Sequence, residues 1–101
     1  MKHFIVEATY LVPFEEIQET IPSHRAFLQT GYDLGFFLCS GPKEPPIGGF
    51  LVARADSKAK LEGLFEKEPL SAKGLARFAF TEFLPVKRQG WTERWFAGET
   101  A

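Results

Sequence analysis

Cysteine and histidine are scarce in this chain of 101 residues, which contains one cysteine and two histidines. Cys39 has no partner for an intramolecular disulfide, so we expect a reducing, cytoplasmic setting. The positions of His3, His24 and Cys39 match no ligand spacing of a known metal site, and no glycine-rich phosphate-binding motif is present. We therefore expect neither a metal nor a dissociable cofactor.

The chain also lacks a long apolar run and an excess of charge of one sign. No run reaches the roughly 18 apolar residues that a membrane span needs. Glu7 interrupts the apolar amino-terminal stretch and no small-residue cleavage site follows it, which argues against a signal peptide. Twelve basic and thirteen acidic residues give a net charge of -1. Binding to nucleic acid needs a concentrated basic surface, so we expect no nucleic-acid partner. Because no long apolar run is present, we also expect no membrane partner.

Aromatic residues, by contrast, are abundant, and eleven of them are phenylalanine. They indicate either a phenylalanine-rich core or a pocket or partner surface lined with rings. Composition leaves both alternatives open.

Alternating and helical patterns of apolar residues predict the order β-α-β-β-α-β. Pro22 lies within the first helical region, where it either kinks one helix or begins a second one. The predicted strands cover His3 to Val12, Phe36 to Ser40, Gly49 to Ala55 and Leu75 to Val86, and the predicted helices cover 13 to about 31 and 58 to about 67. This order is typical of the ferredoxin-like α+β fold, a four-stranded antiparallel sheet with helices on one face. We divide the chain into a domain at 1–88 and a carboxy-terminal tail at 89–101.

The strands are predicted to carry apolar residues on both faces of the sheet. Phe50 and Leu51 point to opposite sides, as do Phe78 and Ala79. Two helices cover one face, so we expect a second copy of the chain to cover the other and form a homodimer. The tail contains Trp91 and Trp95, which we expect to cover an apolar patch on this subunit or its partner; the alternative is that they stack on a ligand.

His24 is the main candidate for chemistry. It falls in line with Ile17, Ile21 and Leu28 on the apolar stripe of the first helical region. It is either a core histidine hydrogen-bonded to the backbone or a general acid or base in a pocket. Asp33 lies about 13 Å further along a continuous helix and half a turn out of phase. A carboxylate partner for His24 must therefore come from elsewhere in the fold.

Other polar side chains are weaker candidates. Tyr10 and Tyr32 either pack in the core or supply hydroxyl groups to a pocket, and Ser40 could donate a hydrogen bond to a substrate oxygen. Cys39 lies within an apolar strand, so we expect it to pack as a small hydrophobic side chain rather than act as a nucleophile.

Three stretches in order resemble the YciI-like family over residues 3 to about 87. They are SHRAFLQTGYDLGFFLCSGP, then GGFLVARADSKAKLEGLFEKEPLSAKGL, and then FLPVK. Members share a histidine in the first helical region, a Gly-Pro pair after a short strand, and an acidic residue followed by proline after the second helix. The resemblance implies a ferredoxin-like fold that pairs into a dimeric α/β barrel, as in the related muconolactone isomerases.

The resemblance also implies a site. The proposed histidine–aspartate pair of the family falls on His24 and Glu68, with glutamate in place of aspartate and Leu70 where an aromatic ring is usual. Gly41 and Pro42 match the Gly-Pro pair, which either ends a strand or lets the backbone approach a ligand closely. A few members dechlorinate or rearrange products of aromatic-ring degradation.

Together these features predict a small enzyme that uses His24 and Glu68 to move a proton on an aromatic-derived or lactone-like metabolite. Tyr10, Ser40, Gly41 and Pro42 are the predicted substrate contacts. Two alternatives remain at this point: a dimeric module that binds a small molecule without turnover, and a structural dimer with a buried histidine.

Overall fold

The computed structural model describes residues 1–99, and its elements follow the predicted β-α-β-β-α-β order. The strands are β1 (Lys2–Tyr10), β2 (Phe37–Pro42), β3 (Gly48–Ala55) and β4 (Ala76–Phe83). The helices are α1 (Phe14–Ile17), α2 (Ile21–Asp33), α3 (Lys58–Phe65), α4 (Pro69–Ala72) and α5 (Glu93–Phe96), with 3₁₀ turns at Gln18–Thr20 and Gly90–Thr92. None of the helices within residues 1–99 is long and apolar enough to cross a membrane.

The four strands form one sheet in the order β2-β3-β1-β4. All three neighbouring pairs are antiparallel. This arrangement confirms the predicted ferredoxin-like α+β fold. The two central strands, β1 and β3, carry side chains on both faces of the sheet: the helix side and the opposite face.

Pro22 and Pro69 lie at the starts of helices α2 and α4, whose boundaries the sequence pattern predicted only approximately. Pro22 lies in the first turn of α2, where its missing N–H leaves no hydrogen bond unmade. The second helix was expected to reach about residue 67, but α3 ends at Phe65 and α4 begins at Pro69. Because a residue before proline is driven out of helical geometry, Glu68 adopts an extended backbone with ψ 131°. Glu68 is thereby placed at the amino end of α4.

The hydrophobic core lies between the sheet and the helices of one face. Phe4, Val6 and Leu51 of the sheet pack against Leu61 and Phe65 of α3. Full burial of one such side chain contributes about 1.5–3 kcal/mol. Helix α2 also approaches the sheet closely, since a Cβ at Gly31 would lie 2.0 Å from the ring of Phe37.

Cys39 lies on the other face of the sheet and is exposed, so the expectation that it packs as a small hydrophobic side chain was wrong. The cause is an irregularity in edge strand β2 between Phe37 and Cys39. It leaves Phe37 buried opposite Ala53, on the helix side, and places Cys39 opposite Val52. Phe50 is also on this second face and is 41% exposed.

The carboxy-terminal segment, residues 89–99, covers one end of that second face. Trp95 donates a hydrogen bond from Nε1 to the carbonyl of Gly35 at 3.0 Å, and its ring lies under the guanidinium of Arg54 at 4.9 Å. Trp95 thus packs against its own chain, which was one of the expectations, whereas Trp91 is 83% exposed. The division into a domain at 1–88 and a tail at 89–101 stays a prediction.

Candidate active site

A cavity of about 350 Å³ opens between helix α2 and the sheet. This volume is near the lower end of ordinary small-ligand sites. Aromatic side chains form part of its wall, namely those of Tyr10, Phe14, Phe65 and Phe78. Part of the aromatic content of the sequence therefore surrounds a cavity rather than filling a solid core.

Helix α2 turns the predicted apolar stripe toward this cavity. Ile21, His24, Arg25 and Leu28 follow the i, i+3, i+4, i+7 spacing of one helix face, and all four line the cavity wall. His24 faces inward because the inner side is a cavity, and its side chain keeps 19% of its surface accessible. An apolar helix face that contains one histidine is thus the feature of the sequence that indicates this site.

Glu68 approaches His24 from behind the cavity wall and is fully buried. Its Oε2 accepts a hydrogen bond from the backbone N–H of Ser71 at 2.8 Å, which caps the amino end of α4. Its Oε1 lies 2.6 Å from Nδ1 of His24. Both carboxylate oxygens therefore have partners, and the cap fixes the direction in which the second oxygen points.

The contact between His24 and Glu68 assigns different roles to the two ring nitrogens. If Glu68 is ionised, its carboxylate only accepts hydrogen bonds, and Nδ1 of His24 is then the nitrogen that carries the proton. In the neutral ring, Nε2 then carries the lone pair and can accept a proton from a ligand in the cavity. The structure thus brings together two predicted residues that are 44 positions apart in the sequence. Their catalytic role stays a prediction.

Tyr10 lines the cavity from strand β1. Burial, and after it the negative charge of Glu68, raise the pKa of the Tyr10 phenol above its usual value of 10.0. Tyr10 therefore stays a neutral hydroxyl group across the neutral pH range. In that state it can donate a hydrogen bond to an oxygen of a bound ligand.

Ser40, Gly41 and Pro42, at the end of strand β2, also line the cavity. The hydroxyl groups of Ser40 and Tyr32 lie 2.7 Å apart, so one of them donates a hydrogen bond to the other. A Cβ at Gly41 would meet nothing within 4 Å. Packing inside the subunit therefore does not explain this glycine, and a close approach to a ligand or partner stays a prediction.

Arg25 is a cavity residue that our sequence analysis missed. The signal that could have found it is its place four residues after Ile21, on the same helix face as His24.

The second histidine, His3, lies on the opposite side of the sheet. Its ring centroid is 5.8 Å from that of Trp95 and 5.1 Å from that of Phe96. The pKa of His3 is lowered from 6.5, mainly by burial and next by neighbouring positive charges that include Arg54. No three side chains of His, Cys, Asp or Glu within residues 1–99 converge as metal ligands do.

Comparison with known proteins shows the family. The sequence model of the YCII-related domain matches residues 1–84, so the chain belongs to the YCII-related family. Among solved structures it is similar to 5-chloro-2-hydroxyhydroquinone dehydrochlorinase from Burkholderia phenoliruptrix, in complex with 2,5-dihydroxybenzoquinone. The TM-score is 0.64 at 18% identity, over 90% of this chain and 97% of that chain, which establishes the shared fold. No curated protein matches the sequence.

Proposed function

We propose that this YCII-related protein is a small enzyme that transfers a proton on a small ring-containing or lactone-like metabolite without a dissociable cofactor. His24 is the proton carrier and Glu68 its positioning residue. The observation that carries the proposal is the 2.6 Å contact between Nδ1 of His24 and buried Glu68, beside an aromatic cavity. A histidine held in this way needs neither a metal nor a nucleophile to act as a base.

In the proposed reaction, Nε2 of His24 takes a proton from a ligand carbon next to a carbonyl group. The electron pair of the broken C–H bond forms a carbon–carbon double bond, and negative charge develops on the carbonyl oxygen. Tyr10 donates a hydrogen bond to this oxygen, and Glu68 stabilises the imidazolium. In elimination, the carbonyl group then re-forms, a double bond forms to the neighbouring carbon, and the leaving group departs with the electrons of its bond. In isomerisation, the proton on His24 returns to a different carbon of the ligand.

The first probe follows from the similar fold of the dehydrochlorinase. Loss of HCl from the keto tautomer of 5-chloro-2-hydroxyhydroquinone, measured as chloride release, tests elimination, and uptake of solvent deuterium into a muconolactone tests isomerisation. We expect His24→Gln to reduce turnover of the active probe by about 10²–10⁴-fold, the usual contribution of a general base. His3→Gln is the matched control, because it removes the other histidine and leaves the cavity intact.

Three results would contradict the proposal in different ways. Equal turnover by the wild type and His24→Gln would remove His24 from the chemistry. Probes that bind in the cavity with neither chloride release nor deuterium uptake would favour a module that binds a metabolite without turnover. A His24→Gln variant that changes only the free energy of unfolding would favour a structural role.

We further propose that two copies of the chain pair through the second face of the sheet. The carboxy-terminal segment covers only one end of this face and leaves Phe50 41% exposed there. Half-buried Ile5 and Val52 lie on the same side. Light scattering should give twice the mass of one chain, and Phe50→Glu should shift the protein toward a monomer. A wild-type monomer at high concentration would contradict this pairing.

The single, unpaired Cys39 fits a reducing compartment, and we propose the cytoplasm as the location. Fractionation of cells that express the tagged chain would test this, and recovery outside the cytoplasmic fraction would contradict it.

A further inference from the structure

We infer that Arg25 makes the cavity selective for organic anions, so that the ligand class is a single small ring that carries a carboxylate or an ionised hydroxyl group. The inference rests on the proposed function for the role of the cavity. It adds the charge of the ligand, which the contact between His24 and Glu68 does not define.

The first argument is the charge balance of the cavity wall. Among residues 1–99, no aspartate or glutamate lines the cavity, and Arg25 is the lining residue that carries a permanent charge. Glu68 lies behind His24 and is fully buried, with both oxygens occupied by protein donors. A ligand in the cavity therefore meets a positive charge and no exposed negative charge.

The second argument is that Arg25 has no competing partner within the chain. Within residues 1–99, no carboxylate lies within 4.0 Å of its guanidinium. Arg88 and Arg94, by comparison, pair with Glu93 and Glu99. An exposed, unpaired guanidinium beside an apolar cavity is available to a ligand and loses no internal ion pair when it binds one.

The third argument is that Arg25 and His24 both line this cavity, although consecutive side chains of a helix point about 100° apart. They are consecutive residues of α2 and both line the same cavity wall. A guanidinium binds a carboxylate through two parallel hydrogen bonds, which fixes the orientation of the ligand as well as its charge. The aromatic walls accept the ring, and the volume of about 350 Å³ limits it to a small one. A ring held by Arg25 is thus oriented relative to Nε2 of its neighbour.

The test compares benzoate with benzamide, which have the same shape and differ in charge. We expect the wild type to bind benzoate about tenfold more tightly than benzamide at low ionic strength, and the ratio to decrease with added salt. Arg25→Gln should bring the ratio close to one, and Arg25→Lys should keep part of it. Arg94→Gln is the control, because it removes another exposed arginine, in the carboxy-terminal segment and away from the cavity.

Titration followed by amide NMR shifts gives both the affinity and the place of binding, through the signals of Ser40 and Gly41. Equal affinity for the two probes in the wild type, failure of benzoate to bind, or an unchanged ratio in Arg25→Gln would each overturn the inference. The proposed function fails separately: a benzoate preference with no turnover of any probe retains Arg25 selectivity and removes the proton transfer. Turnover that depends on His24 but does not change with Arg25→Gln or with the charge of the ligand would retain the proton transfer and remove the Arg25 selectivity.

Discussion

His24 and His3 lie on opposite sides of the same sheet, and their nearest charged neighbours have opposite signs. His24 lies 2.6 Å from the carboxylate of Glu68 and lines a cavity. His3 lies across from Arg54 in the β1–β3 pairing and is covered by the rings of Trp95 and Phe96. The same sheet thus holds one imidazole beside a carboxylate and a cavity, and another whose pKa is lowered first by burial and then by neighbouring positive charges.

The two buried charges beside these histidines also differ in their partners. Glu68 accepts hydrogen bonds from a side chain and a helix end, whereas Arg54 donates to the backbone carbonyls of Gly35 and Trp95. Nε2 of His3 is buried and has no hydrogen-bond partner within residues 1–99. Arg54 thus fastens the carboxy-terminal segment to the sheet.

The largest expected effect comes from Glu68→Gln. The amide still offers an oxygen to the Ser71 N–H, but its other end presents an NH₂ donor to Nδ1 of His24. This favours the wrong tautomer, with the proton on Nε2. We expect turnover of the active probe to fall by about 10²-fold or more, measured as kcat.

Glu66→Gln is the matched control for this substitution, because Glu66 is exposed two residues away. It should leave kcat unchanged. Equal kcat values for Glu68→Gln and Glu66→Gln would mean that the carboxylate does not act on His24.

The next effect concerns the His3 side of the sheet. Arg54→Ala removes the hydrogen bonds to Gly35 and Trp95 and leaves a space under the ring of Trp95. We expect the free energy of unfolding to fall by about 2–4 kcal/mol, measured with urea. The His24 ring signals should not move. Arg77→Ala, at an exposed position on the same face, should change the stability by less than about 0.5 kcal/mol.

A variant Arg54→Ala as stable as Arg77→Ala would show that the carboxy-terminal segment does not depend on Arg54. A loss of probe turnover in Arg54→Ala at full stability would show that the two sides of the sheet are not independent.

The smallest expected effect is a pH dependence of stability at His3. Its pKa in the folded chain lies below 6.5, so the unfolded chain binds a proton that the folded chain refuses. The free energy of unfolding should therefore decrease as the pH falls through about 6.5 and toward the folded-state pKa. His3→Phe should flatten the dependence over this window, in urea titrations at a series of pH values. An equal slope in His3→Phe would assign the effect to another group.

Periodicity and proline positions were enough to predict the element order, the sheet and the inward direction of His24. They could not place Cys39, because a local irregularity in β2 changes which residues share a face. They also could not show that Glu68 reaches Nδ1 of His24, since that distance depends on where Pro69 starts a short helix against α2. Arg25 was missed because only the apolar residues and the histidine of the α2 stripe were taken as cavity candidates, although its position four residues after Ile21 fits the same periodicity.

The tautomer of neutral His24 tests the central claim most directly. Nitrogen-15 NMR of the ring, recorded at a pH at which the imidazole is neutral, distinguishes a protonated Nδ1 from a protonated Nε2. We predict that the proton is on Nδ1 in the wild type, which leaves the Nε2 lone pair for a ligand, and that Glu68→Gln moves it to Nε2. A wild-type ring with its proton on Nε2 would contradict the assignment of His24 as a base held by Glu68.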